Sequence, residues 1–159
     1  MDNVFIGLGS NLADPEGQIK AAISALDSLD EVSVIKQSSL YSSPPMGPQD
    51  QPDYINAVVE IETTLFAHKL LDSLQEIELQ QGRVRQRHWG ERTLDLDLLM
   101  YGKNILDDER LSVPHPGIST RSFVLYPLAE IAPELTIPSV GKIAELLNSC
   151  PLDDLKRME

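Results

Sequence analysis

Leu94-Asp95-Leu96-Asp97-Leu98-Leu99-Met100 sets an apolar residue beside a carboxylate twice over. Alternation with a period of two marks a β-strand with unlike faces. It predicts Leu94, Leu96, Leu98 and Met100 on one face, with Asp95, Asp97, Leu99 and Tyr101 on the other. A chain carrying this segment must build a sheet that buries the first face and gives the second a use for two acids. Residues two apart on a strand have Cα atoms about 7 Å apart. The carboxylates therefore repel each other, and burial would add a desolvation cost. A divalent cation removes that cost, and carboxylate oxygens are what Mg²⁺ prefers. The plainer reading is an edge strand with one solvated face, where Asp does no harm. Asp is a poor strand former, however, and its neighbours here are strongly apolar.

Arg83, Arg85, Arg87 and Arg92 crowd the segment just upstream, interleaved with His88, Trp89 and Gly90. The chain has 13 Lys and Arg against 25 Asp and Glu, a formal net charge of -12. Four of those 13 basic residues thus fall within ten positions of an acidic protein. Guanidinium forks match phosphate oxygens two at a time. Arginines running into a carboxylate pair are what a metal-bound polyphosphate requires: positive charge for the phosphates, and acids for the bridging metal. A lone Arg here would read as a solvated turn residue; the cluster beside Asp95 and Asp97 favours phosphate contact.

The 159 residues suit one domain, 1–159, with a real core. The start, Met1-Asp2-Asn3-Val4, lacks a basic leader pattern, and no apolar run reaches membrane-span length. Cys150 is the single cysteine, so an internal disulfide is excluded and a reducing cytoplasm is expected. The negative charge argues against nucleic acid or anionic membrane as partner. An anionic ligand must then be held locally, by arginines and metal.

In chain order, Val4 to Leu8 reads as a buried strand ending in a Gly9-Ser10-Asn11 turn. Neither phosphate-loop pattern of glycines is present there. Asp14 caps a helix that begins at Pro15, with Ile19, Ala22, Ile23 and Leu26 at helical spacing. Val32 to Tyr41 reads as a second strand. Ser43 to Pro52 holds four prolines and a glycine, a stiff loop suited to covering a substrate. Asp53 to Thr63 is a third strand with Tyr54, Asn56, Val58, Glu60 and Glu62 on one face. There Tyr54 can stack on a flat heterocycle while Asn56 bonds its edge; a half-exposed Tyr beside a solvated Asn is the plainer alternative. Phe66 to Gln81 forms a helix, Ile105 to Val113 an irregular hairpin, Val124 to Ala132 helical turns bent at Pro127, and Val140 to Leu147 a last helix. His115, between two prolines, can donate to a phosphate or simply sit on a surface loop. The order of elements matches a ferredoxin-like (βαββαβ) α+β sheet, with helices packed on one face and a short C-terminal extension.

Five stretches resemble one family: Gly9-Ser10-Asn11-Leu12, Ser43 through Asn56, Glu78 through Arg83, Trp89 through Asp97, and Val113-Pro114-His115. The family is 6-hydroxymethyl-7,8-dihydropterin pyrophosphokinase of the folate pathway. The resemblance implies a ferredoxin-like monomer that moves the diphosphate of ATP to a pterin hydroxymethyl group and leaves AMP. It implies that Asp95 and Asp97 hold two Mg²⁺ ions and that Arg83 and Arg92 contact phosphates during transfer. By the same resemblance Gln75, Glu78, Trp89, Leu98, His115 and Arg121 line the ATP site. Tyr54 and Phe123 sandwich the pterin, and its edge is read by Asn56 with backbone near Ser43, Pro44 and Met46. Pro116 stands where an aromatic is expected, and Arg85 and Arg87 receive no role.

Two rivals stay open on the residues alone. One is an RNA-binding module of the same fold, which would want exposed sheet aromatics and a basic surface. The other is a different Mg²⁺-dependent nucleotidyl or phosphohydrolase enzyme, which would release other products.

Overall fold

The computed structural model describes residues 4–11, 14–44, 53–82, 94–152 and 155–158. Its elements in chain order are β1 (Val4–Ser10), α1 (Pro15–Asp27), β2 (Val32–Gln37), β3 (Tyr41–Ser43), β4 (Tyr54–Thr63), α2 (Ala67–Gly82), β5 (Leu94–Tyr101), β6 (Leu106–Asp107), β7 (Ser112–Val113), α3 (Ser122–Ile131), β8 (Thr136–Ile137), β9 (Gly141–Lys142), α4 (Ile143–Asn148) and β10 (Lys156–Arg157). The main sheet is antiparallel in every pairing. β1 lies between β4 and β5; β2 and β3 share the other side of β4, and β10 adds to β3. α1 starts as its sequence requires: the Asp14 carboxylate accepts from the Gly17 amide at 3.3 Å, and Pro15 opens the first turn.

One face of the sheet buries Ile6, Leu8, Val59, Ile61, Leu96 and Leu98 against Ile19, Leu26, Leu70 and Leu74 of α1 and α2. Each such leucine or isoleucine is worth about 1.5–3 kcal/mol when fully buried. The opposite face is built in rows across three strands. Register sets Asn56, Gly9 and Asp95 side by side, then Val58, Gly7 and Asp97, then Glu60, Phe5 and Met100. α3 covers the middle of this face, packing Val124, Leu125, Leu128 and Ile131 with Phe5, Val58, Leu99 and Met100.

Four expectations need correction. Helices are not confined to one face: α1 and α2 share one, and α3 takes the other, because its apolar side chains find a second patch of sheet to cover. Met100 and Tyr101 have exchanged faces. A bulge opposite Phe5 and Ile6 puts Leu99 and Met100 together on the α3 side and turns Tyr101 toward α1 and α2. The strand expected over Val32 to Tyr41 breaks at Ser38, whose hydroxyl accepts from the Val58 amide at 2.9 Å while its own amide donates to the Val58 carbonyl. Finally, Gly9 and Ser10 belong to β1 rather than to a turn.

Beyond the row of Phe5, the same face ends in a second hollow lined by Glu60, Lys36 and the last turn of α3. Glu60 is buried and cross-strand from Lys36. Burial pushes its carboxyl up from the ordinary value, against the pull of the Lys36 ammonium.

Candidate active site

The first two rows of the second face stay uncovered because they carry little bulk. Glycines occupy the central strand where Phe5 stands in the third row. The result is a cleft of about 130 Å³, partly open to solvent, floored by Gly7 and Gly9 and walled by β3, β4, β5 and the start of α3. Asp95 and Asp97 enter it from β5, the first exposed and the second half-buried. Tyr54 and Asn56 enter from β4, Ser43 and Pro44 from β3, and Arg121 and Phe123 from α3.

Asn56 is 3% exposed, and its Nδ2 donates to Ser43 Oγ at 2.8 Å. The amide is thereby fixed in the cleft wall. Phe123 sits in the first turn of α3, with the Arg121 guanidinium 5.9 Å from its ring centroid, within cation–π range. Gly117 makes room for that arginine: a Cβ there would fall 2.5 Å from Arg121 Nε.

His115 is not part of the cleft lining but lies near enough to Asp97 and Arg121 to feel both charges. Its amide donates to the Leu99 carbonyl at 2.9 Å, and its Nδ1 accepts from the Gly117 amide at 2.9 Å. The neutral ring therefore carries its proton on Nε2. Burial holds His115 below the usual histidine range; the Asp97 carboxylate pulls it up and the Arg121 guanidinium pushes it down. Glu78 reaches from α2 to the outer edge of β5, where its Oε2 accepts from the Leu96 amide at 2.7 Å. Burial raises its carboxyl; that hydrogen bond opposes the rise, and Asp95 and Asp97 add to it. Glu78 thus adds a third negative charge near Asp95 and Asp97, outside the lining of the cleft itself.

The structure brings together Ser43, Pro44, Tyr54, Asn56, Asp95, Asp97, Arg121 and Phe123 in one cleft. It does not bring Gln75 or the Leu98 side chain there. Gln75 lies exposed on α2, where its Oε1 accepts from Arg110 at 3.2 Å. Leu98 is buried on the α1 and α2 side. Its backbone faces the outer edge of β5, by alternation with Leu96. Met46, Arg83, Arg85, Arg87, Trp89 and Arg92 lie outside the described residues, as does most of the proline-rich loop. Sequence reasoning missed Gly7 and Gly9 as cleft residues. The signal was available: glycine weakens a strand interior and often marks close approach by another group.

The described donor set is a carboxylate pair; among the described residues no three His, Cys, Asp or Glu side chains gather as a metal-binding group. Such a pair suits Mg²⁺, which is commonly held by one or two carboxylates and completed by substrate phosphates.

The family model for 7,8-dihydro-6-hydroxymethylpterin-pyrophosphokinase (HPPK) matches residues 5–133, a span that contains every cleft residue named above. The chain belongs to this family. A 2-amino-4-hydroxy-6-hydroxymethyldihydropteridine pyrophosphokinase of Pseudomonas aeruginosa is 49% identical over 158 residues, covering 99% of this chain and 98% of that relative. The enzyme of the same name from Haemophilus influenzae is 53% identical over 147 residues, 92% of each. Among solved structures, wild-type Plasmodium falciparum HPPK-DHPS with SDX-DHP superposes with a TM-score of 0.70 at 16% identity. That likeness covers 94% of this chain and 43% of the other, so the chain spans less than half of that protein and shares its fold over that part. As an HPPK chain, the molecule places the family's match on both sheet faces and on α3.

Proposed function

We propose that this chain transfers the diphosphate of ATP to the hydroxymethyl group of 6-hydroxymethyl-7,8-dihydropterin, releasing AMP, as a pyrophosphokinase of folate biosynthesis. The observation that carries the proposal is the row Asn56, Gly9, Asp95. It sets a fixed amide and a carboxylate in one cleft, across a gap with no side chain, inside the stretch matched by the family model. Tyr54 and Phe123 hold the flat ring from opposite walls, and Asn56 reads its edge beside Ser43, Pro44 and Met46.

Asp95 and Asp97 hold two Mg²⁺ ions in this reading. When bound, these ions neutralise phosphate charge and make the attacking hydroxyl more acidic. The protein's part is positioning and charge. His115 offers its Nε2 proton to a phosphate oxygen without being protonated first. Arg121 adds a fixed positive charge at the α3 wall. Arg83 and Arg92 contact phosphates, and Gln75, Glu78, Trp89 and the Leu98 backbone line the ATP side. A covered cleft excludes water, which would otherwise compete as acceptor. The fold is read as ferredoxin-like, and residues 1–159 as one domain. The chain acts as a cytoplasmic monomer without nucleic acid or membrane partners. No helix among the described residues is long and apolar enough to cross a membrane.

Incubation with ATP, Mg²⁺ and the hydroxymethyl dihydropterin tests the reaction. AMP and the pterin diphosphate are the expected products; ADP or free phosphate would point to another transfer.

A further inference from the structure

The third row of the cleft-bearing face has no part in the cleft. Register sets Lys36, Glu60, Phe5 and Met100 side by side on β2, β4, β1 and β5. α3 covers the middle of this face, so one helix divides it into two hollows. Its first turn, with Phe123, borders the cleft. Its last residue, Ile131, borders the second hollow, an open space of about 950 Å³. Glu60 lines that space and is 7% exposed. Its carboxyl takes no hydrogen bond and forms no ion pair among the described residues. Lys36, opposite it, sends its ammonium instead to the Ile131 carbonyl, at 3.5 Å. Buried carboxyls are ordinarily hydrogen-bonded, and one left alone costs free energy. Burial accordingly raises the Glu60 carboxyl above its ordinary value.

The end of α3 adds to the negative potential. A helix C-terminus carries about half a negative charge, and the last turn of α3 has no basic residue. Lys103 and Glu134, both exposed on the rim, offset each other. Met100, Ile131 and Leu135 give the hollow an apolar wall. Small-molecule sites combine such a lining with a few fixed polar groups. We propose that this hollow is a second binding site, which takes an organic cation with a flat apolar body, of the arylamidine class, on the Glu60 carboxylate. An amidinium presents two parallel N–H donors, which match both oxygens of a carboxylate. Its ring lies against Met100, Ile131 and Leu135. A bare inorganic cation would leave that wall wet, and an anion would meet Glu60 and the carbonyl end of α3. The site stands apart from the proposed reaction, and its test needs no turnover.

Benzamidine is the probe, titrated into the full chain at neutral pH by calorimetry, with the methionine methyl groups ¹³C-labelled for NMR. The expected result is saturable binding at one site that shifts the Met100 methyl signal. Benzamide, the same shape without the charge, should bind at least about tenfold more weakly, the loss of a charge-assisted hydrogen bond. Glu60→Gln should weaken benzamidine by a similar factor with an unchanged or raised melting temperature, because a lone buried charge is removed. Asp97→Asn should bind benzamidine like the wild type. A Met100 signal that does not titrate to saturation, equal affinity for benzamidine and benzamide, or undiminished binding to Glu60→Gln each overturns the proposal. Binding lost in Asp97→Asn alone overturns it too, because that puts the cation on the acids of the cleft. The Met100 signal and the comparison with benzamide need no variant, so they decide the matter even if Glu60→Gln fails to fold.

Discussion

His115 shows how one side chain is prepared by its neighbours. The Gly117 amide occupies Nδ1, and burial disfavours the charged ring. Protonation would have to break that hydrogen bond. The folded protein therefore binds a proton at this site less readily than the unfolded chain. Its contribution to stability is complete above the ordinary histidine pKa of about 6.5 and is lost as pH falls below it. ¹⁵N NMR of the imidazole should show the Nε2–H tautomer, titrating below that value; an Nδ1–H tautomer would contradict the arrangement. Asp95 and Asp97 were legible in the sequence because alternation carries them to one face without help from tertiary structure. Gly9 was not. A glycine beside Ser-Asn looks like a turn until its register with Asn56 and Asp95 is known. His115 was singled out in the sequence by its flanking prolines, but its tautomer depends on a contact with Gly117 that no spacing reveals.

At the scale of elements, the short β3 is held by α3 and the C-terminal β10. Glu130 on α3 accepts from Tyr41 Oη at 2.8 Å, from Ser39 Oγ at 2.9 Å and from the Ser39 amide at 3.0 Å, with Arg157 at 3.4 Å. Burial would raise the Glu130 carboxyl, but these donors outweigh it and carry it below the usual range. Tyr41 is pushed up to about 12 by burial and by Glu130. Glu130→Ala should lower unfolding free energy by about 1–3 kcal/mol, the cost of leaving such donors unpaired, measured by urea denaturation. Tyr41 is protonated more firmly in the fold than in the unfolded chain. Its contribution is complete below pH 10 and is lost as pH rises toward about 12. That decline should be absent from Tyr41→Phe. Apolar spacing and capping gave away α1, α2 and the paired strands. The interruption at Ser38, the bulge after Leu98 and the side on which α3 lands were hidden. Each is settled by a partner distant in sequence: Val58, Phe5 and the Val58–Leu99 patch.

Over the whole molecule, a net charge of -12 opposes any polyphosphate, and Glu78, Asp95 and Asp97 repeat that opposition locally. ATP binding should therefore depend on Mg²⁺. Thermal melts with ATP at about a hundred times its Kd should show a stabilisation of about 2.7 kcal/mol in Mg²⁺ and a much smaller one in EDTA. Equal shifts in both would mean that the arginines suffice. The same crowding of acids means that the site is held against its own repulsion, so relieving it should help the fold while destroying the reaction. Asp97→Asn keeps the shape of the side chain and removes one charge. Its rate of AMP release with ATP, Mg²⁺ and the hydroxymethyl dihydropterin should fall about a thousandfold, the scale of a lost metal contact in phosphoryl transfer, while its melting temperature holds or rises. AMP release within about tenfold of the wild-type rate would contradict magnesium capture by this strand.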